Sequence, residues 1–275
     1  MSSRFPSPFV PFIKYARYLE FLPLDDFNEF HGVWRAMHPE ALTQAGLIFG
    51  ESARASGRNV LQRLGAFEKL RPFPGGLAAD LGCGQGAYTI ELAKRFERVI
   101  GVDILPTNVE QASAGAHDNV IFRCGPLEDL PLDSEIIDAA FLVEVLDHVA
   151  EVETSLSELR RVLKPQAIAY ISVPNALFPF ETHPVKVGTR FFHPWLFPFL
   201  NWTSLHDRIA TARIFRSREL SALCESLGLR VLASDYVIAP LEYRIKFMRP
   251  ILAALGNTWL KPLIGVSLVV AVEKL

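Results

Sequence analysis

The segment that most restricts how this chain can fold is Leu77-Ala-Ala-Asp80-Leu-Gly82-Cys-Gly84-Gln-Gly86, where a short apolar run breaks into three closely spaced glycines. An apolar run of this length bounded by turn residues reads as a buried strand. Glycines directly after it let the backbone turn sharply and leave no side chain to keep a ligand off the loop. The helical stretch that follows points its free N–H groups at whatever sits there. Strand, glycine turn and helix in that order belong to a parallel sheet covered on both faces, and the middle of the chain keeps this alternation. Strands are expected at Leu77–Leu81, Arg98–Val102, Val120–Cys124, Ile137–Val143, Ile168–Val173, Leu229–Tyr236 and Val266–Glu273, seven in all. Helices are expected at Tyr88–Phe96, 107–116, Glu151–Leu163 and Ser217–Ser226. In the third of these Val152, Leu156, Leu159 and Leu163 share one face, and Lys164-Pro165 stops it.

Two segments fall outside the rhythm. Residues 1–70 open with an arm of prolines and aromatics (Phe5, Phe9, Phe12, Tyr15, Tyr18, Phe21), continue into helices, and are assigned to a cap over a main domain at 71–275. Residues 174–213 form a connection rich in Phe, Trp, His and Pro, too aromatic for a solvated loop, and are assigned as a lid insertion. The alternative for these aromatics is a small satellite core.

With 50% hydrophobic residues the chain can build a large core, and its net charge of −2 with no long basic run argues against nucleic acid as substrate. Cys83, Cys124 and Cys224 are odd in number, far apart and without zinc spacing, so they read as reduced, buried thiols of a cytoplasmic protein. Pro6, Pro8 and Pro11 stand where a signal peptide needs an apolar run. Pro250–Leu260 and Pro262–Val272, split by Lys261, are each shorter than the roughly 18 apolar residues of a membrane span. Arg244, Lys246 and Arg249 alternate with Ile245, Phe247 and Met248. That pattern suits either peripheral contact with a membrane surface or a helix packed on the domain with its charges solvated.

The glycine turn alone does not choose a ligand. Asp103, at the end of the second strand, can accept hydrogen bonds from both hydroxyls of a ribose, and Gly82-x-Gly84-x-x-Ala87 satisfies the permissive dinucleotide fingerprint. Asp80 separates the readings. A carboxylate two residues before the first glycine repels a pyrophosphate and attracts a ligand that is cationic at that end. An oxidoreductase also needs a catalytic constellation, and there is no Tyr-x-x-x-Lys pair after the fourth strand.

Here the chain resembles the class I S-adenosylmethionine (SAM)-dependent methyltransferases, in particular the group with the ubiquinone- and menaquinone-type enzymes. The resemblance runs from Leu77 to Val173 in continuous order: the glycine motif, Val99-Ile-Gly-Val-Asp103, Glu128-Asp-Leu-Pro-Leu132, Ile137-Asp-Ala-Ala-Phe141, Glu144-Val-Leu-Asp-His148-Val, Leu159-Arg-Arg-Val-Leu-Lys-Pro165 and Ile171-Ser-Val-Pro-Asn175. It implies a Rossmann-like, mostly parallel sheet with an antiparallel last strand, SAM as cofactor, and a cofactor site of Asp80, Gly82, Gly84, Gly86, Asp103, Ile104, Leu127, Glu128 and Glu144. Two departures stand out. Pro126 replaces the acidic residue the family often uses for the adenine amino group, which shifts that contact to the Leu127 backbone with help from Glu128. Gln166-Ala167 replaces a Gly-Gly turn.

Methyl transfer by in-line displacement asks for a positioned acceptor and a dry, apolar surround, with a base where the acceptor is a hydroxyl. The implied acceptor is a small, largely apolar molecule (lipid-like, quinone, polyketide or phenolic), methylated on oxygen or carbon. The acceptor-side candidates are His183, Glu181 and His148, with His193 and His206 as further histidines. These residues show no tight metal-ligand spacing, so no metal is assigned. A protein or RNA methyltransferase and a non-catalytic SAM-binding partner protein are the alternatives. The acceptor's identity and the oligomeric state are not legible.

Overall fold

A computed structural model describes residues 57–183, 185–187, 190–192, 199–238 and 254–275. The proline-aromatic arm, His193 and Trp195 of the connection, and the basic-apolar stretch around Arg244 to Arg249 lie outside the described residues.

The described elements are α1 (Gly57–Leu70), β1 (Leu77–Leu81), α2 (Ala87–Leu92), β2 (Arg98–Asp103), α3 (Pro106–Ser113), β3 (Val120–Cys124), β4 (Ile137–Val143), α4 (Val152–Val162), β5 (Leu163–Pro174), β6 (Val185–Val187), β7 (Arg190–Phe192), a 3-10 turn at Leu200–Trp202, α5 (His206–Ile209), α6 (Ser217–Ser226), β8 (Leu229–Ile238), α7 (Lys261–Ile264) and β9 (Gly265–Lys274). Seven strands form one sheet in the order β3-β2-β1-β4-β5-β9-β8, while β6 and β7 pair as a separate hairpin. β9 runs antiparallel to both β5 and β8, and the pairs among β1 to β5 are parallel. The fold is the α/β, Rossmann-like sheet expected, including its antiparallel last strand.

Alternation along the strands sends side chains to two cores. On one face Leu81, Leu142, Ile171 and Val270 pack with Leu156, Leu159 and Val162 of α4 and with Leu220 and Cys224 of α6. On the other, Ala78, Phe141, Tyr170 and Val269 pack with Val60, Leu64 and Phe67 of α1 and with Tyr88 and Leu92 of α2. The spacing of Val60, Leu64 and Phe67 is one helical stripe, and all three are at most 1% exposed. The expected boundary at residue 70 therefore does not separate α1 from the main domain; α1 is part of its core. Rings tighten this side, with Phe141 stacked on Tyr170 at 4.9 Å and Phe73 edge-on to both at 5.2 and 5.1 Å.

One expected boundary moves for a local reason. Helix α4 ends at Val162, and Leu163 is already extended, paired with Ile137. Lys164 precedes Pro165, and a residue before proline avoids the helical region. The chain absorbs Lys164-Pro-Gln-Ala167 as an irregularity in the β4/β5 pairing, with Gln166 at φ 64°. Strand β5 thus begins five residues before the expected Ile168, and Leu163 serves the sheet rather than the helix face.

Candidate functional site

The site grows from the carboxyl ends of β1, β2, β4 and β5. β1 and β4 lie side by side where the strand order reverses, the place where open α/β sheets bind ligands. The glycine turn leaves β1 and docks on β2: the N–H groups of Gly82 and Cys83 both donate to the Val102 carbonyl, at 2.7 and 2.9 Å. Gly82 has φ 79°, and a Cβ there would come within 2.5 Å of Val145 Cγ2. Gly86, which opens α2, has φ 85° and sits against Phe122 and Ala112. Only glycine takes both the left-handed backbone and the close approach.

Asp80 and Asp103 flank this turn, 2% and 6% exposed. Asp80 Oδ2 accepts from Thr89 Oγ1 at 2.6 Å. Burial pushes its pKa up to about 7, against hydrogen bonds from the Thr89 hydroxyl and N–H and with a smaller contribution from the charge of Asp103. A buried carboxylate with this little compensation fits a cationic ligand. Asp103 is more fully engaged: Oδ2 accepts from Gly84 N–H at 2.8 Å, and Oδ1 from Leu105 N–H at 2.9 Å and Asn108 Nδ2 at 3.1 Å. Burial raises its pKa and those three bonds oppose the rise. Asp103 thus ties the glycine turn to the start of α3, a structural duty that its position at a strand end did not reveal. About one of a carboxylate's roughly four lone-pair sites is left for a ribose.

The other expected cofactor residues have varied surroundings. Ile104 is half-buried, and its carbonyl accepts from Cys124 Sγ at 3.5 Å. Cys124 itself is only half-buried, unlike Cys83 and Cys224, so the expectation of three buried thiols holds for two. Leu127 is buried. Glu128 also has a local duty: its Oε1 accepts from Ala150 N–H at 3.2 Å and Glu151 N–H at 3.5 Å, holding the turn into α4. Glu144, in the left-handed conformation at φ 52°, accepts from Ser172 Oγ and lies 3.4 Å from Arg63 Nη2. Arg63 also donates to Tyr88 Oη and Ser267 Oγ, so α1 places a guanidinium at the strand ends. Nothing in the periodicity of a helix assigned to a cap pointed to Arg63.

Past β4 and β5 the acceptor-side candidates come together. Glu181, 1% exposed, is a hub: Oε1 accepts from the N–H groups of Thr182 (2.7 Å) and His183 (2.8 Å) and lies 3.3 Å from His183 Nδ1, while Oε2 pairs with His206 Nε2 at 2.7 Å. Burial would raise its pKa, but the bonds from His183 and His206 outweigh burial and hold it at about 2. Glu181 is therefore an orienting group and a poor base. For His183, burial lowers the pKa, yet the Glu181 hydrogen bond and the charges of Asp147, Glu181 and Glu144 lift it above the ordinary range. Burial, and then the neighbouring His183, bring His148 down to about 4. The rings of His148 and His183 meet edge to face at 5.4 Å.

Between the two imidazoles stands Asp147, a residue to which the motif running from Glu144 to Val149 assigns no role of its own. It is 3% exposed, with Oδ2 3.1 Å from His148 Nε2 and 3.5 Å from His183 Nε2. Burial, aided by Glu144, raises its pKa. Arg213 pins this loop, its N–H donating to the Asp147 carbonyl and its guanidinium to the carbonyls of Val149 and Ala150. The adjacency of Asp147 and His148 was the available signal; their meeting with His183 was not.

The described part of the connection after β5 folds back on itself. Asn201 donates to the carbonyls of Phe178 and Phe180, and the rings of Phe178, Phe180, Phe199 and Trp202 follow one another at 5.5 to 6.1 Å. A cavity of about 340 Å³ there is lined by Asn201, Thr203, His206, Arg216 and Glu219 among others, a polar lining that does not suit an apolar acceptor.

Residues 79–171 match the family described as a methyltransferase domain. A ubiquinone biosynthesis O-methyltransferase of Mesorhizobium japonicum is 32% identical over 148 residues, covering 53% of this chain and 57% of the relative. An uncharacterized 37.1 kDa protein in transposon TN4556 of Streptomyces fradiae is 42% identical over 148 residues, covering 52% and 41%. The chain thus spans about half the length of these relatives. Among solved structures, a SAM-dependent methyltransferase from Mesorhizobium loti shares the fold, with a TM-score of 0.57 at 17% identity over 78% of this chain and 98% of that one.

Proposed function

We propose that residues 79–171, which match the methyltransferase-domain family, are a class I, SAM-dependent methyltransferase domain, and that the whole protein transfers the methyl group of SAM to a small, largely apolar acceptor bound beyond the ends of β4 and β5. The observation that carries this reading is the under-compensated carboxylate of Asp80 beside a glycine turn whose other flank is Asp103. Bound SAM would supply an electrophilic methyl on a sulfonium sulfur. The chain's own part is then mostly positional. Asp80 would balance the positive amino-acid end, Asp103 would hold the turn and meet the ribose, and the backbone near Ile104 and Leu127 would flank the adenine. Glu144, fixed by Ser172 and Arg63, would face the methionyl part or the acceptor. His148 and His183 would meet the acceptor, with Glu181 orienting His183. Holding an acceptor atom in line with the methyl can lower the barrier by on the order of 7–11 kcal/mol.

The relatives named for ubiquinone biosynthesis support an acceptor of quinol or phenol type, methylated on oxygen. Segment 174–213 is proposed as the cover of that acceptor. Among the described residues no helix is long and apolar enough to cross a membrane. Calorimetry with SAM, S-adenosylhomocysteine and NADH tests the cofactor, with heat expected from the first two alone. Transfer of labelled methyl from SAM to quinols and phenols, set against peptides and RNA, tests the acceptor. Labelling of peptide or RNA but of no small molecule would overturn the acceptor class, and heat from NADH alone would overturn the whole reading.

A further inference from the structure

Asp147 is buried with His183 and, more weakly, Arg63 as partial counter-charges, yet its carboxylate lacks the donors that burial calls for. Both of its carboxylate oxygens are buried and accept no well-formed hydrogen bond from another residue. A buried carboxylate left so is costly, and native structures normally give it donors, a counter-charge or a metal. Its neighbours at 3.1 and 3.5 Å are two imidazole Nε2 atoms. These three potential ligand atoms, from Asp147, His148 and His183, all lie within 4.8 Å of one another. Ligands bonded at 2.0–2.1 Å stand about 3.3 Å apart around a tetrahedral ion and about 3.0 Å apart around an octahedral one. The carboxylate–imidazole spacings of 3.1 and 3.5 Å lie within about 0.2 Å of the tetrahedral value, and closing the remaining spacing, within 4.8 Å, asks only a small shift of the rings.

The surroundings complete the pattern. His183 turns Nδ1 toward Glu181 Oε1 at 3.3 Å and Thr182 Oγ1 at 3.2 Å, so its Nε2 is the atom aimed at Asp147. A carboxylate behind a ligating histidine fixes the ring and raises its basicity, and such partners accompany most protein metal sites. His206 holds the far oxygen of Glu181, and Arg213 fastens the loop that carries Asp147 and His148. Three ligands from two separate segments are therefore pre-positioned by groups that do not themselves ligate.

We propose that Asp147, His148 and His183 hold a divalent first-row transition ion at the acceptor side of the site. Two imidazoles and one carboxylate favour Zn²⁺ over Mg²⁺ or Ca²⁺, which prefer all-oxygen sets. Three protein ligands leave positions open for water or for an acceptor hydroxyl. That last role rests on the methyl-transfer reading and deepens it; the ion site itself rests on the geometry alone.

The test uses the full chain. Equilibrium dialysis against Zn²⁺, with metal counted by mass spectrometry, is expected to give one tightly held ion per chain, and Mg²⁺ in excess should not displace it. Co²⁺ loading should produce visible absorption bands. His183→Ala should weaken Zn²⁺ binding by roughly 100-fold or more, and Glu181→Gln by about 10–100-fold, the effect of removing an outer partner. Both variants are checked for native melting, and Asp147→Asn, which keeps the side-chain shape, provides a second removal. Equal Zn²⁺ binding by wild type and a His148→Ala/His183→Ala double variant, or no binding by wild type, would overturn the site. Calorimetry with SAM on the same samples separates the two readings. Zn²⁺ without SAM binding would sink the methyltransferase reading and leave the metal site, and SAM without Zn²⁺ would do the reverse.

Discussion

Asp80 illustrates how one buried side chain couples cofactor, pH and stability. Its pKa of about 7 is raised chiefly by burial. A cationic ligand binds the ionised form, so SAM affinity should rise between about pH 6 and pH 8 with release of a proton, and Asp80→Asn should flatten that profile as well as weaken binding; calorimetry in buffers of different ionisation enthalpy measures both. The stability effect has the opposite sense. A carboxyl group whose folded pKa exceeds its unfolded value of about 3.9 contributes most below that value and loses its contribution as pH rises through 7. Without ligand, Asp80→Asn should therefore melt higher than wild type at pH 8, by up to about 4 kcal/mol, with the gap closing below pH 4. Asp103 should behave differently. Because it anchors Gly84, Leu105 and Asn108, Asp103→Ala should lose stability even without SAM, by roughly 2–4 kcal/mol on urea denaturation. If only SAM binding falls, the carboxylate's work is recognition alone.

At the scale of elements, α1 and the turn into α4 carry the informative tests. Phe67 is fully buried against Phe141 and Tyr170, with ring centroids at 6.1 and 5.6 Å. Phe67→Ala should cost about 3–5 kcal/mol in a single cooperative transition. A separate early transition would instead mark residues 57–70 as an independent cap. Glu128 holds the entry of α4, so Glu128→Ala should cost about 0.5–2 kcal/mol and leave SAM affinity within about twofold. Strand identities were readable because Leu77–Leu81, Val120–Cys124 and Ile137–Val143 are bounded apolar runs. The start of β5 was not, because an irregular Lys-Pro-Gln stretch inside a strand looks, locally, like a loop.

For the molecule as a whole, a ligand that binds only the folded state adds stability in proportion to its excess. SAM at 100 times its dissociation constant should stabilise the protein by about 2.7 kcal/mol, seen as a higher melting temperature, while NADH leaves it unchanged. By itself the sequence determined the sheet, its crossover helices and the carboxylate–glycine–carboxylate turn, since those follow from patterns a few residues long. It also marked His148, Glu181 and His183 as chemically able. Only the tertiary structure decided that Arg63 reaches Glu144, that Glu128 and Asp103 are engaged in holding turns, and that Asp147 lies between two imidazoles from different segments. Local steric and hydrophobic preferences are written in neighbouring residues. The environment of a buried charge depends on which distant segments the packed sheet brings to its edge.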